Sequence, residues 1–454
     1  MRLTRRQVLA GAAAGALSGA GLYELVDRLA GTPRRAASAL APPPPEQHLL
    51  DGLQVVLDGG VEVVVPPLHH EVVTARIAGG DLRDAKRRLE AALQELEDRY
   101  PSTPKGLGVT VAYGLPYFRT HVPGTAAKHL PYDRRAQKPA LLDARTFPSD
   151  PPGTILEQND VAVLMRSDHL DHIADAHKLL FDRLAVFEPT SIRRGFVGGD
   201  LPRKMAQAAG VPGADLVPEK SELFLGFTST QKAGLGPRLI VNHETLGYVD
   251  LRTGYFRGGT HMHLSHIAED LEAWYLNFDF NERVSTAFRP GLRVAPGVQT
   301  VHQGPDDAAT RKQVDEQFRR SGNFGHSASI QLTSRLQMDH VAEDGTVYRK
   351  GTAIPQRADF NTLDNPFAWT AHPGRDGYSE QPAAGVHFVV FNPSSDDFHR
   401  NRLAMDGVLP DGTRLQLPPR ARGQGFNSIL RTTHRQNFLV PPRRHRAFPL
   451  AELA

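Results

Sequence analysis

At 454 residues the chain is long enough for two cores. It has no cysteine, which excludes disulfides, iron–sulfur clusters, thiolate-ligated haem, cysteine-linked lipid and cysteine nucleophiles, and makes its 20 histidines the first candidates for any metal. The formal net charge of +3 gathers partly at the ends, in Arg2, Arg5, Arg6, Arg34 and Arg35 and in Arg443, Arg444 and Arg446. No basic stripe with interleaved aromatics accompanies it, so no nucleic-acid partner is expected.

Thr4-Arg5-Arg6-Gln7-Val8-Leu9 resembles a twin-arginine export signal. The apolar stretch that follows, Val8 to Leu22, is too short and too rich in Ala and Gly for a membrane span. Ala37-Ser38-Ala39 offers a cleavage site far beyond that stretch, so the segment is either removed or kept as a loose anchor. Residues 1–41 are therefore expected to be an address and 42–52 a Pro-rich linker. The expected location is extracytoplasmic: periplasm, cell envelope or medium. The twin-arginine translocase is the partner during export. That route carries proteins already folded, often because a cofactor was inserted first.

Leu53 to Val65 alternates around Gly59-Gly60, as a hairpin does. Glu71 to Ile77 reads as a strand. Asp81 to Tyr100 has helical periodicity, with Leu82, Leu89, Ala92, Leu93 and Leu96 on one side. Leu107 to Tyr113 and Asp160 to Met165 read as strands, followed by a helix from Asp168 to Phe187. The order is that of a ferredoxin-like unit. In the second half Gly259 to Leu264 reads as a strand, His266 to Leu276 as a helix, Val386 to Phe391 as a strand and Ser394 to Met405 as a helix. Pro189 to Gly213 and Pro290 to Asp307 are rich in Gly, Pro and charge and read as loops. The Arg/Pro-rich chain from Pro410 onward reads as a surface wrap. The expected fold is α+β: two ferredoxin-like domains of the dimeric α/β barrel type, over residues 53–215 and 216–454, with antiparallel sheets and helices packed outside.

His261, His263 and His266 form a His-x-His-x-x-His cluster. On a strand, His261 and His263 share a face, which suits copper, zinc or iron, and His266 at the start of the next element would complete the set. His69-His70 diverge on a strand and read as structural. Glu269-Asp270 and Asp396-Asp397 lie near helix N-termini, where carboxylates offset the dipole, and receive no catalytic role. Trp274 and Tyr275 read as core. No Walker loop, nucleophile elbow, dinucleotide-binding glycine motif after a strand, or His-Glu-x-x-His occurs.

A set of short stretches, in order, resembles the dye-decolourising peroxidase superfamily. Leu107 to Gly114 resembles a strand running into a glycine. Asp160 to Met165, with Arg193-Arg194-Gly195-Phe196 after it, resembles the next strand. Leu225-Gly226-Phe227 resembles the start of a glycine-rich loop. Gly258-Gly259-Thr260 and Asp270 to Trp274 resemble a strand and helix beside haem, and Gly385 to Phe391 the last core strand. The resemblance spans residues 68 to 410. It implies haem b in the second half, hydrogen peroxide as oxidant, a small-molecule electron donor and a homo-oligomer as a further expectation.

Two departures bear on function. The family's loop reads Gly-x-x-Asp-Gly, whereas this one reads Gly226-Phe227-Thr228-Ser229-Thr230. Ser229 stands where the acid belongs, and a serine hydroxyl is no general base near neutral pH without a partner. Slow or unusual turnover is expected, unless a nearby histidine substitutes. For the iron, Phe324-Gly325-His326 resembles the small-residue context of the family's ligand, which favours His326. A second alignment puts Ser329 there. The distal arginine is either Arg349, in Tyr348-Arg349-Lys350-Gly351, or Arg357, in Gln356-Arg357-Ala358-Asp359-Phe360. Either could stabilise negative charge as the O–O bond breaks, or hold a propionate. Gly226, Phe227, Ser229, Thr260 and His263 are expected to border the cofactor. Three readings stand: a haem peroxidase, a haem-binding or haem-handling protein without the chemistry, and a haem-free metal protein using His261, His263 and His266.

Overall fold

Alternation of side chains organises the first half. In β1 (His69–Ile77) Val73 and Ala75 turn to one face, and Val72 and Thr74 to the other. The computed structural model describes residues 20–31, 42–58, 61–226, 248–249, 251, 254–292, 310–341, 347–416 and 425–454. Ahead of β1 a helix, α1 (Ala20–Ala30), and the expected hairpin, with Asp58 opposite Val61, are in place. After β1 comes α2 (Leu82–Arg99), started by Asp81, whose carboxylate accepts from the backbone N–H of Arg83 and Asp84 at 2.8 and 3.3 Å. Its Leu89, Leu93 and Leu96 pack on the face carrying Val73, on Val111 of β2 (Gly108–Gly114) and on Val163 of β3 (Val161–Ser167). Each such leucine contributes about 1.5–3 kcal/mol. α3 (Leu170–His177) continues as a π-helical turn to Arg183, and β4 (Phe187–Phe196) completes a sheet of order β4-β1-β3-β2.

The expected loop over 189–213 is thus corrected: it holds most of β4 and a helix, α4 (Leu201–Ala209). Its strand arginines, Arg193 and Arg194, are paired with Glu157 and Glu71 rather than solvated. Arg193 is fully buried, and its Nη2 donates to both Glu157 carboxylate oxygens at 2.6 Å.

The second half repeats the plan: β5 (Thr260–Glu269), then α5 (Leu271–Asn277), α6 (Phe280–Ala287), α7 (Arg311–Ser321) and α8 (His326–Ser334), β6 (Phe360–Thr362), β7 (Gly385–Asn392), α9 (Ser395–Met405) and β8 (Leu430–Val440). The sheet order is β8-β5-β7-β6, the same 4-1-3-2 plan as the first half. Two expectations are corrected here. The helix expected from His266 starts only at Leu271, because β5 runs on to Glu269 between β7 and β8. The expected surface wrap after Pro410 contains β8, buried from His434 to Val440. Its polar residues hid the strand, yet each has an inside partner: Gln436 bonds Asn159, Asn437 faces His263, and Arg435 donates to Asp150 at 2.6 Å. The loop expected over 290–307 lies almost wholly outside the described residues.

Tyr113 and Gly114 of β2 pair with Leu439 and Phe438 of β8, and Phe196 of β4 pairs with Asn361 of β6. These contacts close the two sheets into an eight-stranded barrel. Val72, Leu164, Leu264, Phe360, Val389 and Phe438 form one cluster drawn from both sheets. Helices of both halves lie outside. Among the described residues no helix is long and apolar enough to cross a membrane.

Candidate functional site

The outer face of the second sheet does not close fully against its helices. α8 forms one wall. Gly325 caps its N-terminus where a Cβ would fall 2.1 Å from the Phe288 carbonyl oxygen, and the same oxygen accepts from the Ala328 N–H at 3.0 Å. Only glycine lets the helix seat so closely on the end of α6. Helical spacing then turns His326, Ile330, Ser334 and Arg335 toward a cavity of about 260 Å³. Ser265, Ile267 and Glu269 of β5 and Val386, Phe388 and Val390 of β7 form the facing wall. Phe398, Arg402 and Met405 of α9 and Leu225 and Phe426 close the sides.

Among the described residues, His326 is the only imidazole lining this space. Its Nδ1 is buried without a hydrogen-bond partner, and its ring lies 4.7 Å from that of Phe426. Burial, with Arg357 and Arg402 adding repulsion, pushes its pKa down to about 3, so the ring is neutral with one nitrogen lone pair to offer. Arg357 stands on the sheet wall, fixed by backbone pairing with Val390 and by Asp359, which takes its Nε at 2.9 Å and its Nη2 at 2.6 Å. Arg335 donates to the Gly351 carbonyl at 2.7 Å and has no carboxylate partner among the described residues. Arg402 and Arg435 share Asp150 at 3.3 and 2.6 Å. Glu269 completes the set. Its Oε2 is buried without a hydrogen bond, and burial, then the charge of Asp359, pushes its pKa up to about 8.

The structure sorts the residues singled out by sequence. His326 and Arg357 come together on opposite walls. Arg349 does not: it is exposed on the surface and paired with Asp339 at 2.7 Å, so its place as distal arginine is corrected. Ser329 turns back into its own helix, donating to the His326 carbonyl at 2.8 Å, and does not line the cavity. Thr260 and His263 are also corrected. Thr260 is buried at the far end of β5, donating to the Asn392 carbonyl. The His263 ring stacks on Phe398 with centroids 3.3 Å apart, and its nitrogens lie 2.7 Å from Asn437 Oδ1 and 2.5 Å from Ser265 Oγ. Gly226, with φ +83°, sits beside cavity-lining Leu225, where a Cβ would meet the Tyr275 hydroxyl at 2.8 Å. Phe227 and Ser229 lie outside the described residues.

The three-histidine metal site does not form. His261 and His263 share the outer face as strand alternation requires, but His266, three residues further on, faces the barrel interior beside His387. Among the described residues no three histidines or carboxylates converge to hold a metal ion. Reading by sequence missed Glu269, Asp359, Arg335 and Arg402. The signal for Glu269 was available: Ser265, Ile267 and Glu269 alternate, but the strand was ended too early to use it.

The fold of two ferredoxin-like halves is shared with solved DyP-type peroxidases. A DyP-type peroxidase from Cellulomonas bogoriensis aligns over 88% of this chain and 96% of its own at 18% identity, with a TM-score of 0.50. An encapsulated DyP-type peroxidase from Mycobacterium smegmatis aligns over 84% and 95% at 13% identity and TM-score 0.47. A Rhodococcus jostii DypB variant in complex with heme aligns over 84% and 96% at 12% identity and TM-score 0.48. The chain itself belongs to the Family of unknown function (DUF7405), whose model matches residues 67–442. No curated protein matches it.

Proposed function

We propose that this chain is an exported haem b protein of peroxidase type, which reduces hydrogen peroxide and oxidises a small organic donor. One observation carries the reading: a neutral imidazole, on the helix wall, faces a fixed guanidinium on the sheet wall across an apolar cavity. These residues fit haem. His326 would hold the iron, Ile267, Phe288, Ile330, Val386 and Phe426 suit a porphyrin face, and Arg335 can pair a propionate. Bound haem would supply the electrons that reduce peroxide. The chain's own part is positional and electrostatic. Arg357, held flat by Asp359, presents its remaining N–H groups to the cavity, where negative charge grows on the departing oxygen.

An absorption spectrum of protein from a haem-supplied host tests this. A Soret band with peroxide-dependent oxidation of a dye supports it. A Soret band without turnover selects the haem-handling reading, and no haem uptake refutes both. Arg357→Leu should leave haem bound and slow the reaction with peroxide roughly 100- to 1,000-fold in stopped flow. Arg349→Ala, by contrast, should change neither.

The docked α1 bears on export. Leu22, Tyr23 and Val26 are buried, the Tyr23 hydroxyl donates to Asp364 and to the Arg194 carbonyl at 2.9 Å, and Asp27 meets His69 at 2.6 Å. Cleavage at Ala37-Ser38-Ala39 would strip this helix from the core, at about 1.5–3 kcal/mol for each apolar side chain lost. The exported protein is therefore expected to keep residues 20–31. Intact mass spectrometry of material from the cell envelope checks this, and an N-terminus at or after Ser38 would contradict it.

A further inference from the structure

We propose that Glu269 is the residue that takes a proton from peroxide and returns it as the O–O bond opens. The inference rests on the haem peroxidase reading and deepens it: the acid missing from the 226–230 loop is supplied instead from the end of β5. Three observations point to Glu269. Strand alternation beyond His266 puts Ser265, Ile267 and Glu269 on the cavity wall, the wall of Arg357 and opposite that of His326. Its Oε2 is buried with no hydrogen-bond partner. The other carboxylate there, Asp359, has both oxygens taken by Arg357, so it can orient that arginine but is not free to shuttle a proton.

The neighbouring Asp270 has a different task, accepting from the Ala273 N–H at 2.9 Å to cap α5. The charged and titratable groups around Glu269 come from every packed element: Asp359 and Arg357 beside β7, Arg435 from β8, His326 and Arg335 from α8, Arg402 from α9 and Tyr275 from α5. Burial and the Asp359 charge place its titration at about 8, near enough to neutrality for both protonation states to be reached in one cycle. In that cycle one peroxide, two protons and two electrons become two waters. The electrons come from two one-electron oxidations of the organic donor by way of the haem. Glu269 moves one proton, from the oxygen that will stay to the oxygen that leaves as water.

The test compares wild type, Glu269→Gln and Glu269→Asp as haem-loaded full chains. Glu269→Gln should keep its Soret band and lose roughly 100-fold or more in the rate of reaction with peroxide, together with the acid limb of the pH profile, the fall in rate as the carboxylate that accepts the proton is itself protonated. Glu269→Asp should keep that limb with a shifted midpoint. In the haem-free proteins, infrared difference spectra should show a protonated-carboxyl stretch that titrates away above neutrality in wild type and is absent from Glu269→Gln. An unchanged rate and pH profile in haem-loaded Glu269→Gln overturns the inference and leaves the peroxidase reading standing. Failure of the wild type to take up haem overturns both.

Discussion

His326→Ala is expected to abolish haem retention. Of the groups that line the cavity, the arginines are cations and Glu269 holds its proton, so none of these replaces a neutral imidazole at ferric iron. Loss of an outer partner of a ligand already costs roughly 10- to 100-fold in metal affinity, and loss of the ligand itself should exceed that. The fold should survive. The His326 Nδ1 has no hydrogen-bond partner to lose, and alanine favours the first turn of α8. Soret absorbance per protein after gel filtration, with the far-ultraviolet circular dichroism unchanged, reads the effect. Full haem occupancy with a native spectrum would remove His326 as the ligand. Attention would then pass to Met405, whose thioether borders the same space.

The first half of the fold was legible because its chemistry is ordinary: α2 shows an apolar stripe, and β2 and β3 are apolar runs that bury both faces. β4 and β8 were not, because their buried positions hold Arg193, His434, Arg435, Gln436 and Asn437, whose partners lie far off in sequence. Polarity in a window of ten residues says loop; only the tertiary partners say strand. The site divided in the same way. His326 is singled out by its small-residue neighbours, and the structure places it on the cavity wall, on a helix seated by the close approach of Gly325 to Phe288. Sequence leaves Arg349 and Arg357 as equal candidates: the choice depends on which one pairs with β7, and sequence spacing does not encode that. Glu269 was set aside as a helix-dipole carboxylate because β5 was ended too soon.

Acid should destabilise this protein well before its carboxylates protonate. His70, His261, His263, His266, His387 and His399 are buried, and burial pushes each below the ordinary histidine value, His261 and His399 down to about 4. Above pH 6.5 neither folded nor unfolded chain protonates these rings, and their neutral burial carries no penalty. As pH falls through 6.5 the unfolded chain binds protons that the folded one cannot, so stability is lost progressively down to the folded value near 4. For a ring held at about 4 the loss is roughly 3 kcal/mol at the acid end, against a total stability on the order of 5–15 kcal/mol. Asp364, pushed up to about 6, and Glu269, at about 8, work the other way and favour the fold as pH falls, but they are fewer. The denaturation midpoint of the full chain should therefore drop steeply between about pH 6.5 and 4.5. His387→Phe supplies the control. Neither ring nitrogen of His387 has a hydrogen-bond partner, and the ring lies between Phe360 and Phe367 at 5.2 and 6.4 Å. Phenylalanine should fit there, keep the midpoint at pH 7.5 and flatten its decline. A wild-type midpoint that stays level down to pH 4.5 would show that these imidazoles reach water or a proton acceptor on folding.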